Sequence, residues 1–341
     1  MAFLIRQTLV FAIPLMIVAL AGIFAERSGI INLALEGIMI FGAFIGVVFV
    51  RFMQTMGWFD ASAKNVLAMQ GYLGLAMLVA AIAGCLFSLL LAFAAINLKA
   101  DQTIGGTALN MLAPAIVLFL VLIISKQSTL LLLKGDSASW FMIKKSTLGI
   151  PKNQDIGVLG EAFLNKVYLT TYFCILLYAV LSVILYKTRF GMRLRSCGEN
   201  PQAAASLGIN VIKMRYVGTM ISGALAGLGG FVYAVTTANC SANGDVAGFG
   251  FLALAVMIFG NWKPLPVALG ALLFGLFKCI GAAYATLDIN SDGVYALANL
   301  GISSHVYRIL PYVITLVVLM FTSKSSRAPK AEGIPYDKSA R

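Results

Sequence analysis

The chain has one histidine, His305, in 341 residues, and only 11% of its residues are charged. A single imidazole beside an apolar segment builds no Ser/His/Asp constellation, and no GxxxxGK[ST] run is present to cradle a phosphate. The five cysteines (Cys85, Cys174, Cys197, Cys240 and Cys279) are scattered without a CxxC pair. Four of them fall in or next to apolar segments, where cysteine behaves as a small hydrophobe, so neither a disulfide framework nor a metal site is indicated. The convergent His, Asp and Glu groups that a membrane-embedded enzyme would need are missing. The sequence therefore reads as a non-enzyme that calls for no cofactor.

What the chain does have is apolar surface. Hydrophobic residues make up 60% of it and the mean hydropathy is +0.92, whereas a soluble domain carries roughly 25% charged residues. Residues 72–98, 104–125 and 168–186 contain no Asp, Glu, Lys or Arg, and each reaches the roughly 17–25 residues a helix needs to cross the hydrocarbon layer. The pattern predicts an all-α, polytopic membrane helix bundle of about 8–10 spans. They lie near 3–24, 28–50, 72–97, 104–124, 168–186, 214–237, 249–262, 264–285 and 306–323. The seventh is short enough to be a broken or re-entrant element held inside protein. The first has Arg6 in front and no small-residue cleavage site behind, so it reads as a retained helix. Residues 1–323 form one membrane domain, and the polar, basic tail 324–341 is expected to be disordered.

The net charge of +12 sits mainly in connecting segments, which fits topology and anionic lipid rather than nucleic acid. If residues 187–215 are cytoplasmic, Arg27, Lys99, Lys263 and the tail share that side. Segments 239–248 and 286–304, which then face outward, carry no Lys or Arg. The connection 125–167 conflicts, because it would be external yet holds Lys126, Lys134, Lys144, Lys145, Lys152 and Lys166.

The densest local signal is KTRFGMRLRSCGENPQAAASLGINVIKMR, residues 187–215, with six basic residues and one acid, Glu199. Asn200 reads as a helix N-cap, Pro201 as the first helical position and Gly208 as the left-handed exit of a helix of about two turns. Ala203, Ala204 and Leu207 fall at helical spacing, predicting one small apolar face suited to a groove in a partner. Arg193, Arg195 and Glu199 flank that face and are placed to fix its register by charge.

Polar groups inside apolar segments form the other candidates. Asn32 and Glu36 are four residues apart and are expected on one face of the second helix; they either brace the bundle or line a path for a polar cargo. Asn110 follows the Gly105–Gly106 pair and suits a polyhydroxylated or heterocyclic ligand or an interhelical hydrogen bond. The stretch SGALAGLGG, residues 222–230, has small-residue spacing for tight packing. Lys278, well inside the eighth segment, is expected to snorkel to the outer interface.

Five motifs occur in order across residues 10–323: ERSGIINLALEGIM, DQTIGGTALN, GENPQAAASLGIN, GFGFLALAVMIFGNWKPL and LPYVITLVVLM. Together they resemble the permease subunits of bacterial ABC importers for nucleosides and simple sugars, relatives of the ribose and branched-chain amino-acid permeases. The ERSG…LEG and DQ…GxALN pair is similar to the nucleoside branch. The resemblance implies a type II importer fold, paired with a second, homologous permease, in the bacterial inner membrane. It also implies a cytoplasmic ABC ATPase, an extracytoplasmic substrate-binding lipoprotein, a small-molecule cargo and no nucleic-acid partner. The GENPQAAASLGI segment matches the loop whose coupling helix docks on the ATPase. The lysine-rich 125–167 connection, Lys278 and the long basic tail depart from the family's pattern. A simple-sugar permease is the alternative within the family. An ion-coupled secondary transporter is the alternative outside it, with Glu36 as the one clear intramembrane carboxylate.

Overall fold

In the computed structural model, residues 2–58, 66–132, 141–145, 150–151, 157–284, 303–322 and 327–337 are described. Lys134, Lys152, Lys324, Lys338, Arg341 and most of the 286–304 segment lie outside them. The long helices are α1 (Ala2–Glu26), α2 (Leu35–Thr55), α3 (Val66–Ile96) and α4 (Gln102–Ser125). A two-stranded antiparallel pair, β1 (Met142–Ile143) with β2 (Val167–Tyr168), flanks α5 (Gly157–Leu164) and leads into α6 (Leu169–Lys187). Then come α7 (Arg189–Glu199), α8 (Pro201–Ser206), α9 (Val211–Thr236), α10 (Phe249–Phe259), α11 (Pro264–Ala283) and α12 (Ser304–Thr322). Seven of these helices are long and apolar enough to cross a membrane. The eleven-residue α10 is too short to do so alone, in keeping with the re-entrant reading.

Helix α1 is the centre of the bundle. It is apolar on every side, and Val10 to Glu26 are buried without interruption, as expected of a helix with no polar face. It packs against α9 and α11, while α9 packs against α2 and α3. Lipid-like surroundings give no hydrophobic drive between helices, so close backbone approach at small residues does that work. The 222–230 stretch serves this purpose as expected: a Cβ at Gly227 would lie 2.5 Å from Ala80 O and 2.8 Å from Gly84 Cα. Gly227→Leu is therefore expected to separate α9 from α3 and to abolish the folded monodisperse species in detergent, which size-exclusion of the purified protein reads directly.

The second span differs from its expected bounds. Helix α2 begins at Leu35 and not near residue 28, because residues 27–34 turn and run extended after α1 ends. Asn32 thus lies in a helix break and does not share a helical face with Glu36. A second difference concerns the tail. Residues 327–337 are not loose: Ala331 N donates to Gly198 O at 2.8 Å, Gly333 N to Gly29 O at 3.3 Å and Arg327 N to Asn261 Oδ1 at 2.9 Å. The tail is polar by composition, but its backbone finds partners on the folded body, and that is what orders it.

Candidate coupling surface and helix-break elements

The 187–215 region folds as two short helices hinged at Asn200. Thr188 Oγ1 accepts from Gly191 N and starts α7, which buries Gly191, Leu194, Cys197 and Gly198. Asn200 then ends α7 and caps α8, its Oδ1 accepting from Ala203 N at 3.0 Å, with Pro201 at the first helical position. Gly208 adopts φ +80°, the left-handed exit. Hydrogen-bond capacity and φ preference within eight residues fix this geometry, so the motif predicts it locally.

Of the nine residues expected at this surface, Arg193, Glu199, Asn200, Ala203, Leu207 and Gly208 are exposed, with Leu207 81% accessible, and Arg195 and Pro201 are half-buried. Ala204 is not on the outer face: it is buried in a small cluster with Cys197 and Val211, against which Ala205, Ile209, Met214 and Tyr336 pack. Arg195 stacks on the Tyr186 ring at 4.7 Å. Glu199 pairs with Arg27 at 3.2 Å, tying the loop to the end of α1. Both charges are thus committed within the chain, and the outward apolar contact reduces to Ala203 and Leu207. Beside it lies a cavity of about 740 Å³ lined by Arg27, Glu199, Asn261, Lys263, Arg327 and Lys330.

The sequence alone does not point to the support beneath α8. Arg215, the fifth residue of α9, is 1% exposed. Its Nη1 donates to Ile334 O at 2.9 Å and its Nη2 to Ala331 O at 3.5 Å. Gly29, with φ +96°, leaves room for that guanidinium, since a Cβ there would meet Arg215 Nη2 at 2.8 Å. Gln202 of α8 reaches Asp337 O at 2.9 Å, and Lys99 pairs with Asp337 at 3.3 Å. The tail is therefore a strap joining α8, the α1–α2 break and α9. The available signal was a basic residue four positions inside an apolar helix.

Glu332 lies in this strap beside Glu26, whose carboxylate accepts from Trp262 Nε1. Burial pushes the Glu332 carboxyl up to about 7, against the opposing effects of its hydrogen bond with Glu26 and of the Arg27 charge. An acid whose folded pKa is raised favours the docked strap when protonated. That contribution is complete below the usual carboxylate range near 4.5 and is lost as pH rises through about 7. Hydrogen exchange at the Ala331 and Gly333 amides, corrected for intrinsic rate, is expected to lose protection between about pH 5 and 8. Glu332→Gln is expected to flatten the profile.

Half-way into the bundle a second polar centre braces the helix break. Glu36 is 7% exposed and accepts from three backbone amides at the start of α10. Its Oε1 takes Gly248 N at 3.0 Å, and its Oε2 takes Gly250 N at 2.5 Å and Phe251 N at 3.3 Å. A carboxylate on the free N–H groups of a helix N-terminus satisfies donors that lipid cannot and opposes the positive end of the dipole. Asn32 donates from Nδ2 to Ser222 Oγ at 2.8 Å and accepts from Ala34 N at 3.2 Å. Asn110 accepts from Gly37 N at 2.8 Å and donates to Leu33 O at 2.6 Å. The three residues gather α2, α4, α9 and α10 around the break, and each amide has both ends engaged. Lys278 does not reach for the outer interface: Nζ donates to Ala247 O at 3.0 Å and to Tyr312 Oη at 3.2 Å, and lies 5.0 Å from the Phe249 ring centroid. Among the described residues no group of three or more His, Cys, Asp or Glu side chains is placed to hold a metal ion.

Comparison with known proteins matches residues 4–320 to the family described as branched-chain amino acid transport system / permease component. The guanosine ABC transporter permease protein NupQ of Bacillus subtilis is 41% identical over 100% of this chain and 98% of its own length. The nucleoside ABC transporter permease protein NupC of Lactococcus lactis is 37% identical over 98% and 97% of the two chains. The putative glucose ABC transporter permease protein TsgC13 of Haloferax volcanii is 26% identical over 93% and 91%. No solved structure matches the chain.

Proposed function

Since the chain belongs to the branched-chain amino acid transport system permease component family, we infer that it is the membrane-spanning permease of an ATP-driven importer whose cargo is a nucleoside. The observation that carries the cargo is end-to-end likeness to two nucleoside permeases, at 41% and 37% identity, against 26% for the putative glucose permease. The chain is a transporter subunit and not an enzyme; a separate ATPase hydrolyses ATP.

Three partners complete the machine: a second, homologous permease, a cytoplasmic ATPase below α8 and an extracytoplasmic binding lipoprotein. The α8 side of the bundle, with the strap, faces the cytoplasm of a bacterial inner membrane, which the distribution of Lys and Arg supports. Closure of the ATPase pushes on Ala203 and Leu207. The push passes through Glu199–Arg27 to the end of α1 and through the strap to the α1–α2 break. Rocking of packed helices between two arrangements then opens the path to one side at a time. Asn32, Glu36 and Asn110 hold the break that must move and act on the path from behind.

The test is uptake of radiolabelled guanosine by cells expressing the complete importer, with a protonophore added. Uptake that persists while ATP is maintained supports the reading. Uptake that collapses with the proton gradient at constant ATP assigns the chain to ion-coupled transport.

A further inference from the structure

The loop between α9 and α10 carries polar side chains at a depth where lipid tolerates none. Helix α10 has eleven residues and ends beside Trp262, whose indole donates to Glu26 at the end of α1. At about 1.5 Å per residue, the loop before it lies about 16 Å from that end of the bundle, near the middle of a ~30 Å hydrocarbon layer. Lys278, the fifteenth residue of α11, reaches a similar depth by the same rise, about 21 Å. Asn243, Asp245 and Tyr312 are nevertheless exposed on the single chain, and Lys278 is half-buried beside Tyr312.

The loop is rigid enough to read a ligand. Leu130 and Ala242 exchange backbone hydrogen bonds at 2.8 and 3.1 Å, Asn243 Oδ1 accepts from Asp245 N and Asp245 Oδ1 accepts from Ala247 N. Asp245 Oδ2 has no hydrogen-bond partner among the described residues, and no ion pair joins Asp245 to Lys278 there. A carboxylate turned outward at this depth, with a half-buried ammonium nearby that keeps one proton free, faces either a partner chain or a water-filled path. A neutral polyhydroxylated molecule supplies what is missing, O–H donors for the carboxylate and oxygen acceptors for the remaining ammonium proton.

We propose that Asp245 and Lys278 form the sugar-reading wall of the translocation path, with the Asp245 carboxylate accepting from the 2′- and 3′-hydroxyls of a ribonucleoside. Lys278 donates to an oxygen of the same sugar, and the Ala247 carbonyl and Tyr312 hold its ammonium in place. The inference rests on the nucleoside reading above and assigns the part of the nucleoside that this permease recognises.

The complete importer, with partner permease, ATPase and binding protein, is reconstituted, and uptake of guanosine is compared with uptake of 2′,3′-dideoxyguanosine. Asp245→Asn keeps the Oδ1 acceptor for Ala247 N and removes the charge. The wild type is expected to prefer guanosine in kcat/KM by about tenfold more than the variant does, since a site built for hydroxyls discriminates strongly against their loss. The same binding protein serves both arms, so its own preference cancels. An unchanged preference overturns the proposal, whether absolute rates fall or not. If Asp245→Asn does not assemble, Asn243→Cys in the full complex replaces it, read with a membrane-impermeant thiol reagent. Protection by guanosine but not by the dideoxy analogue supports the proposal; equal protection by both, or no labelling, overturns it. Failure of the wild type to take up either compound instead removes the nucleoside reading, and this inference with it.

Discussion

Glu36→Ala is expected to leave a bundle that no longer holds α10, with a loss of stability on the order of 4 kcal/mol or more. Three backbone amides, of Gly248, Gly250 and Phe251, depend on this one side chain. Each buried donor left without an acceptor costs about 1–3 kcal/mol, more where the lost partner was charged. Water does not reach the Gly250 amide, because Gly250 is buried and a Cβ there would already stand 2.5 Å from Glu36 Cα; Gly248 is half-buried and Phe251 exposed, so the Gly250 donor carries most of the cost. Total stabilities of folded domains are about 5–15 kcal/mol, so the expected phenotype is poor recovery of folded protein. Glu36→Gln keeps one acceptor oxygen but turns an amide N–H toward other N–H groups, and intermediate recovery is expected. The check is thermal unfolding of purified protein in detergent for the wild type and both variants. An alanine variant within about 1 kcal/mol of wild type would show that α10 is held by packing alone.

The second large effect is expected at Leu207→Asp. Leu207 is 81% exposed and makes no contribution to the cluster beneath α8, so the folded permease should be recovered at wild-type level. A carboxylate in a docked apolar groove lacks a partner and costs about 1–3 kcal/mol or more. Co-purification of the ATPase and ATP-driven uptake are therefore expected to fall together by about tenfold or more, at 1.4 kcal/mol per factor of ten. Ala204→Glu is expected to behave differently. Ala204 is 2% exposed against Cys197 and Val211, so a glutamate there levers α8 off its own support before any partner is met. Pull-down of the ATPase on tagged permease, with uptake in parallel, separates the cases. Wild-type co-purification with Leu207→Asp would exclude α8 as the docking element.

The caps of α8 were legible in the sequence because Asn200, Pro201 and Gly208 act within their own turn. Which way α8 faces was not legible. Ala203 and Ala204 are chemically identical, and only the approach of Val211 and Tyr336 decides which of them is buried. Glu36 stood out as a carboxylate inside an apolar run, yet its partners lie 212 to 215 residues away. The trace they left was the pair of glycines, Gly248 and Gly250, that opens the apolar run of α10. Polar and basic side chains make the strap look disordered in the sequence. It is held largely by main-chain groups of Gly29, Gly198, Ala331 and Ile334, and composition does not report main-chain pairing. The start of α2 is hidden for a related reason: Ile30, Ile31, Leu33 and Ala34 continue the apolar run, but residues 27–34 turn and run irregularly, with Asn32 and Asn110 taking up the backbone groups a helix would have paired.

The most direct measurement is guanosine uptake into proteoliposomes containing this permease, its partner permease and the ATPase, with binding protein supplied on the side opposite ATP. The account predicts accumulation that requires ATP hydrolysis, needs all four components and is unaffected when proton and sodium gradients are collapsed. Accumulation driven by an imposed proton or sodium gradient without ATP, or by this chain alone, would contradict it.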